Sequence, residues 1–252
     1  MFGRRKKGSA AEDAAGEAEQ VVDGVDSADG AERERVRLEP EPRPDGPWDS
    51  TEVREPAEGR VDLGGLFVPG VDGMELRVEV AGDAIVAATV VLRDSAVQLQ
   101  AFAAPKREGI WGEVREEIAT GITQQGGVID EVEGPLGWEL RAQVPVQLPD
   151  GTGGFQVVRF VGVDGPRWFL RGVISGQGAV QPQAAGLLEQ IFRDTVVVRG
   201  EGPMAPRDPI VLKLPDDAQM VAEGVQQEEQ AGSRFSGGMG QLQRGPETTE
   251  VR

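Results

Sequence analysis

The sequence predicts an α+β fold, with antiparallel sheet and two main helices, held between two polar tails. Three observations lead there. The hydrophobic period along residues 59–215 alternates between 2 and 3.6. Tight-turn signals separate the period-2 runs, and two stretches carry helical stripes. The flanks, residues 1–58 and 216–252, hold too little apolar side chain to offset the entropy of ordering them.

Within the central stretch, Leu76, Val78 and Val80 alternate with Glu75, Arg77 and Glu79, as in a half-buried strand. Ile85 to Leu92 is a continuous apolar run that ends at Arg93-Asp94-Ser95, and Val97, Leu99 and Ala101 form the returning strand. Trp111, Val114, Ile118 and Ile122 mark one helical stripe, with Glu108 and Glu113 near its first turn and Gly126-Gly127 as its stop. Val128 to Val132 and Trp138 to Val146 flank the turn Gly134-Pro135-Leu136-Gly137. A Gly-rich loop at 149–154 leads to the strand Phe155 to Val163, Asp164-Gly165 signals a hairpin, and Arg167 to Ser175 returns. Pro182 suits the first turn of a second helix with a stripe at Ala184, Leu187, Leu188 and Ile191. Two short strands, Thr195 to Arg199 and Ile210 to Leu214, close the domain.

The two halves read equally as a duplicated strand-strand-helix unit or as chance spacing. Asp94 and Asp164 lie 70 positions apart, as do the stripe pairs Val114/Ala184 and Ile118/Leu188.

Composition excludes much chemistry. The 252 residues include no His, Cys or Tyr. A Ser-His-Asp or Cys-His nucleophile is therefore impossible, and so is a zinc site on imidazole or thiolate. Only Lys6, Lys7, Lys106 and Lys213 carry an amine, and no phosphate-loop or dinucleotide-fold glycine motif is present. No cofactor is implied. No apolar run is long enough for a membrane span, and Met1 to Lys7 has no apolar stretch behind its charges, so a cytoplasmic location is expected. Formal net charge is −17, spread over tails and domain.

Residues 1–58 read as a disordered acidic tail with the basic start Arg4-Arg5-Lys6-Lys7, a Pro-rich run at 40–44 and one large aromatic, Trp48. Residues 216–252 read as a disordered Gln/Gly-rich tail. Phe102 to Lys106, Gly109 to Arg115, Asp164 to Gly172 and Met204 to Pro209 resemble blocks of an uncharacterised actinobacterial family, a domain of unknown function, over roughly residues 45–215. The resemblance implies a cytoplasmic protein and no reaction.

The Asp164-Gly165 hairpin allows an argument from parity. A two-residue loop there pairs Phe160 with Phe169 and Val158 with Arg171, so Arg167, Phe169, Arg171 and Phe160 share one sheet face. Trp168, Leu170, Val161, Val157 and Ile174 take the other, which reads as the helix-packed core. The first face is then an Arg-and-aromatic platform for a carboxylate, a phosphate or a base. Arg159 conflicts with this, because it falls on the core face. The alternative is that the Arg stems cover a partly buried sheet. Glu113, Glu116 and Glu117 form a candidate carboxylate group for a hard cation, against a solvated helix face.

These features favour a non-enzymatic interaction or regulatory protein with an unknown protein partner. A nucleic-acid-associated role on the Arg/aromatic face is the alternative, disfavoured by net charge, with Arg77, Arg141, Arg167 and Arg171 as its expected basic cluster. An oxygen-ligand metalloenzyme comes third. Limited proteolysis of the full chain is expected to leave a stable fragment near residues 45–215; an unstable fragment from a folded chain would move the boundary.

Overall fold

The computed structural model describes residues 42–147 and 151–214. The chain divides into two units, residues 1–35 and 36–252, and the described residues lie in the second, which is treated by itself. The tails expected over 1–41 and 216–252 lie outside the described residues.

Three short strands come first: β1 (Trp48–Asp49), β2 (Arg60–Asp62) and β3 (Leu66–Pro69). The antiparallel run β4 (Glu75–Ala81), β5 (Ala84–Leu92) and β6 (Ser95–Ala103) leads to helix α1 (Trp111–Gln124). Then follow β7 (Val128–Gly134), β8 (Gly137–Gln147), β9 (Gly153–Gly165) and β10 (Trp168–Gly176). A short helix α2 (Gln177–Val180), helix α3 (Pro182–Asp194) and β11 (Val196–Val197) complete the elements. Seven strands form one sheet in the order β4-β5-β6-β10-β9-β8-β7, antiparallel at every step. The second sheet runs β1-β11-β3-β2.

The sheet has a separate core on each face. Under α1, Trp111, Val114, Ile118 and Ile122 pack on Phe102, Leu140, Ala142, Val158, Phe160, Phe169 and Val173. On the other face, Leu188, Ile191 and Phe192 of α3, with Leu63, Leu66, Val68 and Val197, cover Val97, Leu99, Val161, Trp168, Leu170 and Ile174. The stripe expected for α1 is the one buried, and α1 ends where Gly126 takes φ +81° and Gly127 N–H donates to Ile122 O. The stripe on α3 is rotated from its expected position: Ala185, Leu188, Ile191 and Phe192 are buried and Leu187 is exposed.

Residues 42–58, expected in the tail, are part of the fold. Trp48 N–H donates to Thr195 O and Ser50 N–H to Val197 O, which sets β1 beside β11. Asp49 accepts the indole N–H of Trp168 at 2.8 Å, and the Arg43 guanidinium lies 5.2 Å from the Trp168 ring centroid. Of the two closing strands, the first is β11; the second is reduced to isolated bridges at Pro209 and Leu212.

The hairpin register differs from expectation by four residues. Gly165 pairs with Trp168, so the loop is Pro166-Arg167, not Asp164-Gly165. Proline's fixed φ suits the first central position, and Arg167 takes the second at φ +66°. Phe160 therefore pairs with Val173, and Arg171 with Gly162. Because the shift is even, every side chain keeps its expected face.

The reading of the two halves as copies is corrected. Strand order does mirror about the β6/β10 boundary. A two-fold axis relating antiparallel neighbours stands normal to the sheet and preserves faces, yet α1 and α3 lie on opposite faces. The helices cannot superpose along with the strands.

Trp168 ties the two ends of this unit together: it is fully buried in the α3-side core and donates to Asp49. Trp168→Ala is expected to lower unfolding free energy by about 3–5 kcal/mol, read from urea midpoints; a loss below about 1 kcal/mol would contradict the packing described.

Candidate binding surface

Three of the four residues expected on an exposed platform, Phe160, Phe169 and Arg171, share a face, as parity required, but all three are interior, and Arg167 stands in the hairpin loop. Phe169 stacks between Trp111, 5.5 Å away between ring centroids, and Phe102, 6.1 Å away. Arg167 alone is exposed, at the tip of the hairpin. The exposed platform is thus corrected, because α1 crosses from β6 to the far edge strand β7 and lies over this face. The sequence shows a helix after β6 but not where its crossover goes.

Arg171 sits where that cover ends. Its guanidinium donates to Gln100 and lies 5.6 Å from the Phe102 ring centroid. Burial pushes its pKa down to about 10, with the charge of Glu79 acting in the opposite sense. Beyond it the face turns polar: Gln98 donates to Glu79 at 2.7 Å, and Thr89 and Arg77 continue the row toward the edge strand. The α1-side face is therefore apolar beneath the helix, from β8 to Phe102 of β6, and beyond it carries Gln98, Gln100, Thr89, Glu79 and Arg77.

The misfit residue Arg159 has a specific environment. On the α3 side it donates to both oxygens of Glu139 at 3.1 and 2.7 Å and to Glu189 of α3 at 2.8 Å. Arg141 adds a bond to Glu139 at 2.9 Å. Burial opposes the charge on Arg159, but the bonds and charges of Glu139 and Glu189 outweigh it and raise its pKa. A Cβ at Gly134 would stand 2.5 Å from the Glu139 carboxylate, so glycine there leaves it room. The apolar-polar alternation around Trp138 hides this group, since Trp138 is 42% exposed and Glu139 fully buried.

Asp164, expected in a turn, is a strand residue whose carboxylate accepts the Ile110 and Trp111 N–H groups at 2.8 and 3.1 Å. It caps α1 from a neighbouring strand, where an acid also suits the helix dipole. Among the candidate metal-binding acids, Glu113 and Glu117 each accept from Arg207 at 2.7 Å. No group of three acids is placed to hold a metal ion among the described residues. The basic cluster required for nucleic acid is not assembled. Arg171 is buried, and Arg77 and Arg141 lie five strand spacings apart, about 24 Å.

What the sheet does display is apolar. At the end of β7–β9 on the α3-side face, Val128 is 56% exposed and Phe155 62% exposed. Val128, Gln143 and Val157 form one cross-strand row, and Pro145 and Phe155 the next. These rows lie beyond the Arg141–Arg159 pair, on the same face. Sequence reasoning placed these residues in strands without marking them as a surface; an alternation of Phe155, Val157 and Arg159 reads as core.

The sequence matches the family model described as protein of unknown function (DUF3710) over residues 46–221, and the chain belongs to that family. The match begins at Gly46, beside β1. No curated protein matches the chain.

Burial sets Arg171 apart from the exposed Arg167. Arg167→Ala should leave stability within about 0.5 kcal/mol of wild type. Arg171→Ala, which removes a buried packed side chain and the partner of Gln100, should cost about 2–4 kcal/mol. Paired urea titrations decide this, and equal midpoints for the two variants would contradict the assignment.

Proposed function

We propose that this family member is a non-catalytic protein-binding module of an actinobacterial cytoplasm. Its contact surface is the apolar end of β7–β9. One observation carries the reading: Phe155 and Val128 stand largely exposed at one end of the sheet, beyond the helix layer on the α3-side face. Polar side chains with the chemistry to act, Arg159, Glu139, Glu189 and Asp164, are engaged in holding helices to that sheet. Exposed aromatic and aliphatic groups rimmed by Gln143, Arg141 and Asp130 match the anatomy of a protein contact. The net charge of −17 and the interior position of Arg171 both count against a phosphate backbone as the ligand. The actinobacterial and cytoplasmic setting rests on the sequence blocks and on composition, Arg outnumbering Lys 22 to 4.

Phe155→Glu in the tagged full chain provides the test. Its thermal midpoint should match wild type, since Phe155 is mostly in water, while a partner recovered with wild type under nuclease treatment should be lost. Unchanged recovery would sink the surface, and recovery abolished by nuclease in wild type would transfer the reading to nucleic acid.

A further inference from the structure

The seven-stranded sheet is split at one end. β5 and β6 pair from Ala88–Leu99 to Leu92–Ser95 and no further. Past that point β5 still pairs with β4, and β6 with β10, so each strand has one open edge facing the gap. Arg207 to Leu212 fills the gap. On the β6 side, Arg207 N–H donates to Ala103 O at 2.7 Å, Ala103 N–H to Asp208 O at 2.8 Å and Ile210 N–H to Ala101 O at 2.8 Å. On the β5 side, Leu212 N–H donates to Ile85 O at 2.9 Å.

The segment is held as an added strand holds a peptide, by main-chain bonds and alternate side-chain anchors. Ile210 and Leu212 are buried in the α3-side core, and Val211 between them is exposed. Arg207 adds a clamp on Glu113 and Glu117 of α1. The approach from β11, residues 198–206, has no helix or strand and contains Gly200, Gly202, Pro203 and Pro206.

We infer that the gap between β5 and β6 is a strand-acceptor site, filled in cis by Arg207–Leu212 and open in trans to the same segment of a second copy of this chain. The segment is the one sequence shown to fit, and every copy carries both donor and acceptor. Reciprocal exchange through the irregular 198–206 tether therefore closes on a symmetric pair. The cis segment competes at a high effective concentration, so exchange rises with protein concentration. In register, Phe155 and Val128 lie toward the opposite end of the sheet from this gap, so exchange leaves the proposed contact surface uncovered.

The chain has no cysteine, which permits a clean test on full-length protein. Ile85 and Leu212 are facing residues of an antiparallel bridge, a separation that a disulfide spans. In one arm, I85C/L212C is oxidised when dilute and should form an intrachain bridge. In the other, singly substituted I85C and L212C chains are mixed at high concentration and then oxidised. A covalent heterodimer should appear that is missing when L212C is mixed with T120C, whose cysteine lies on the outer face of α1. Hydrogen exchange at the Ala103 and Ile210 amides, which donate to Asp208 O and Ala101 O, confirms that each variant retains the filled gap before mixing. An intrachain bridge without any heterodimer overturns exchange, and failure of the intrachain bridge itself overturns the acceptor site. Either result leaves the Phe155 surface standing, because that surface is read out by a different variant.

Discussion

Arg159 decides whether α3 can lie on the sheet at all. A guanidinium removed from water without partners costs several kcal/mol. Here β8 supplies Glu139 and α3 supplies Glu189, so the charge is matched only when strand and helix are both in place. Replacing such a group by apolar residues is often neutral in stability, so its effect is better sought in which arrangement forms. A helix slid by one turn would bring Ala185 or Arg193 to Arg159 instead of Glu189. The same network explains why its own strand can end in half-buried Val157 and exposed Phe155: the helix layer terminates at the charged group.

The opposite face solves a different problem. α1 is one helix of 14 residues laid on a seven-stranded sheet, and it covers only part of the width. The sequence adjusts to this by changing the face from Phe160, Phe169 and Val173 to Gln98, Gln100 and Glu79 where the helix ends. Arg171 stands at the change, with its ring contact on one side and its amide partner on the other. Asp164 then holds the helix start against β9, and Arg207 ties the helix to the segment that fills the split in the sheet.

Local periodicity made the elements and their inward stripes legible, because Trp111, Val114, Ile118 and Ile122 repeat over a length only a helix buries. Parity likewise assigned Trp168 and Phe169 to opposite faces, and it survived a four-residue error in the hairpin because the error was even. Coverage was not legible. An antiparallel sheet with one wet face is common, and nothing within Arg167 to Arg171 tells that α1 crosses above Phe169. Arg159 on the core face was the available signal that both faces are covered, since a buried arginine demands partners from another element. Residues 42–58 were misassigned for a related reason. They dock mainly through backbone bonds and the Asp49–Trp168 contact, and neither raises local hydrophobicity.

With His, Cys and Tyr missing, many of the long-range polar ties among the described residues fall to carboxylates. Asp49 receives an indole, Asp164 a helix start, Glu139 and Glu189 an arginine, Glu113 and Glu117 another, and Glu131 a third, Arg115. Glu52 shows the thermodynamic sign. Its hydrogen bond with Arg43 holds its carboxyl below the ordinary carboxylate range. Its contribution is therefore complete above that range and is lost as pH falls through the depressed value. Acid excess in this chain is then more than a solvating coat. Among the described residues many of the acids act as acceptors that join distant segments, and two of the arginines they meet, Arg159 and Arg115, are buried.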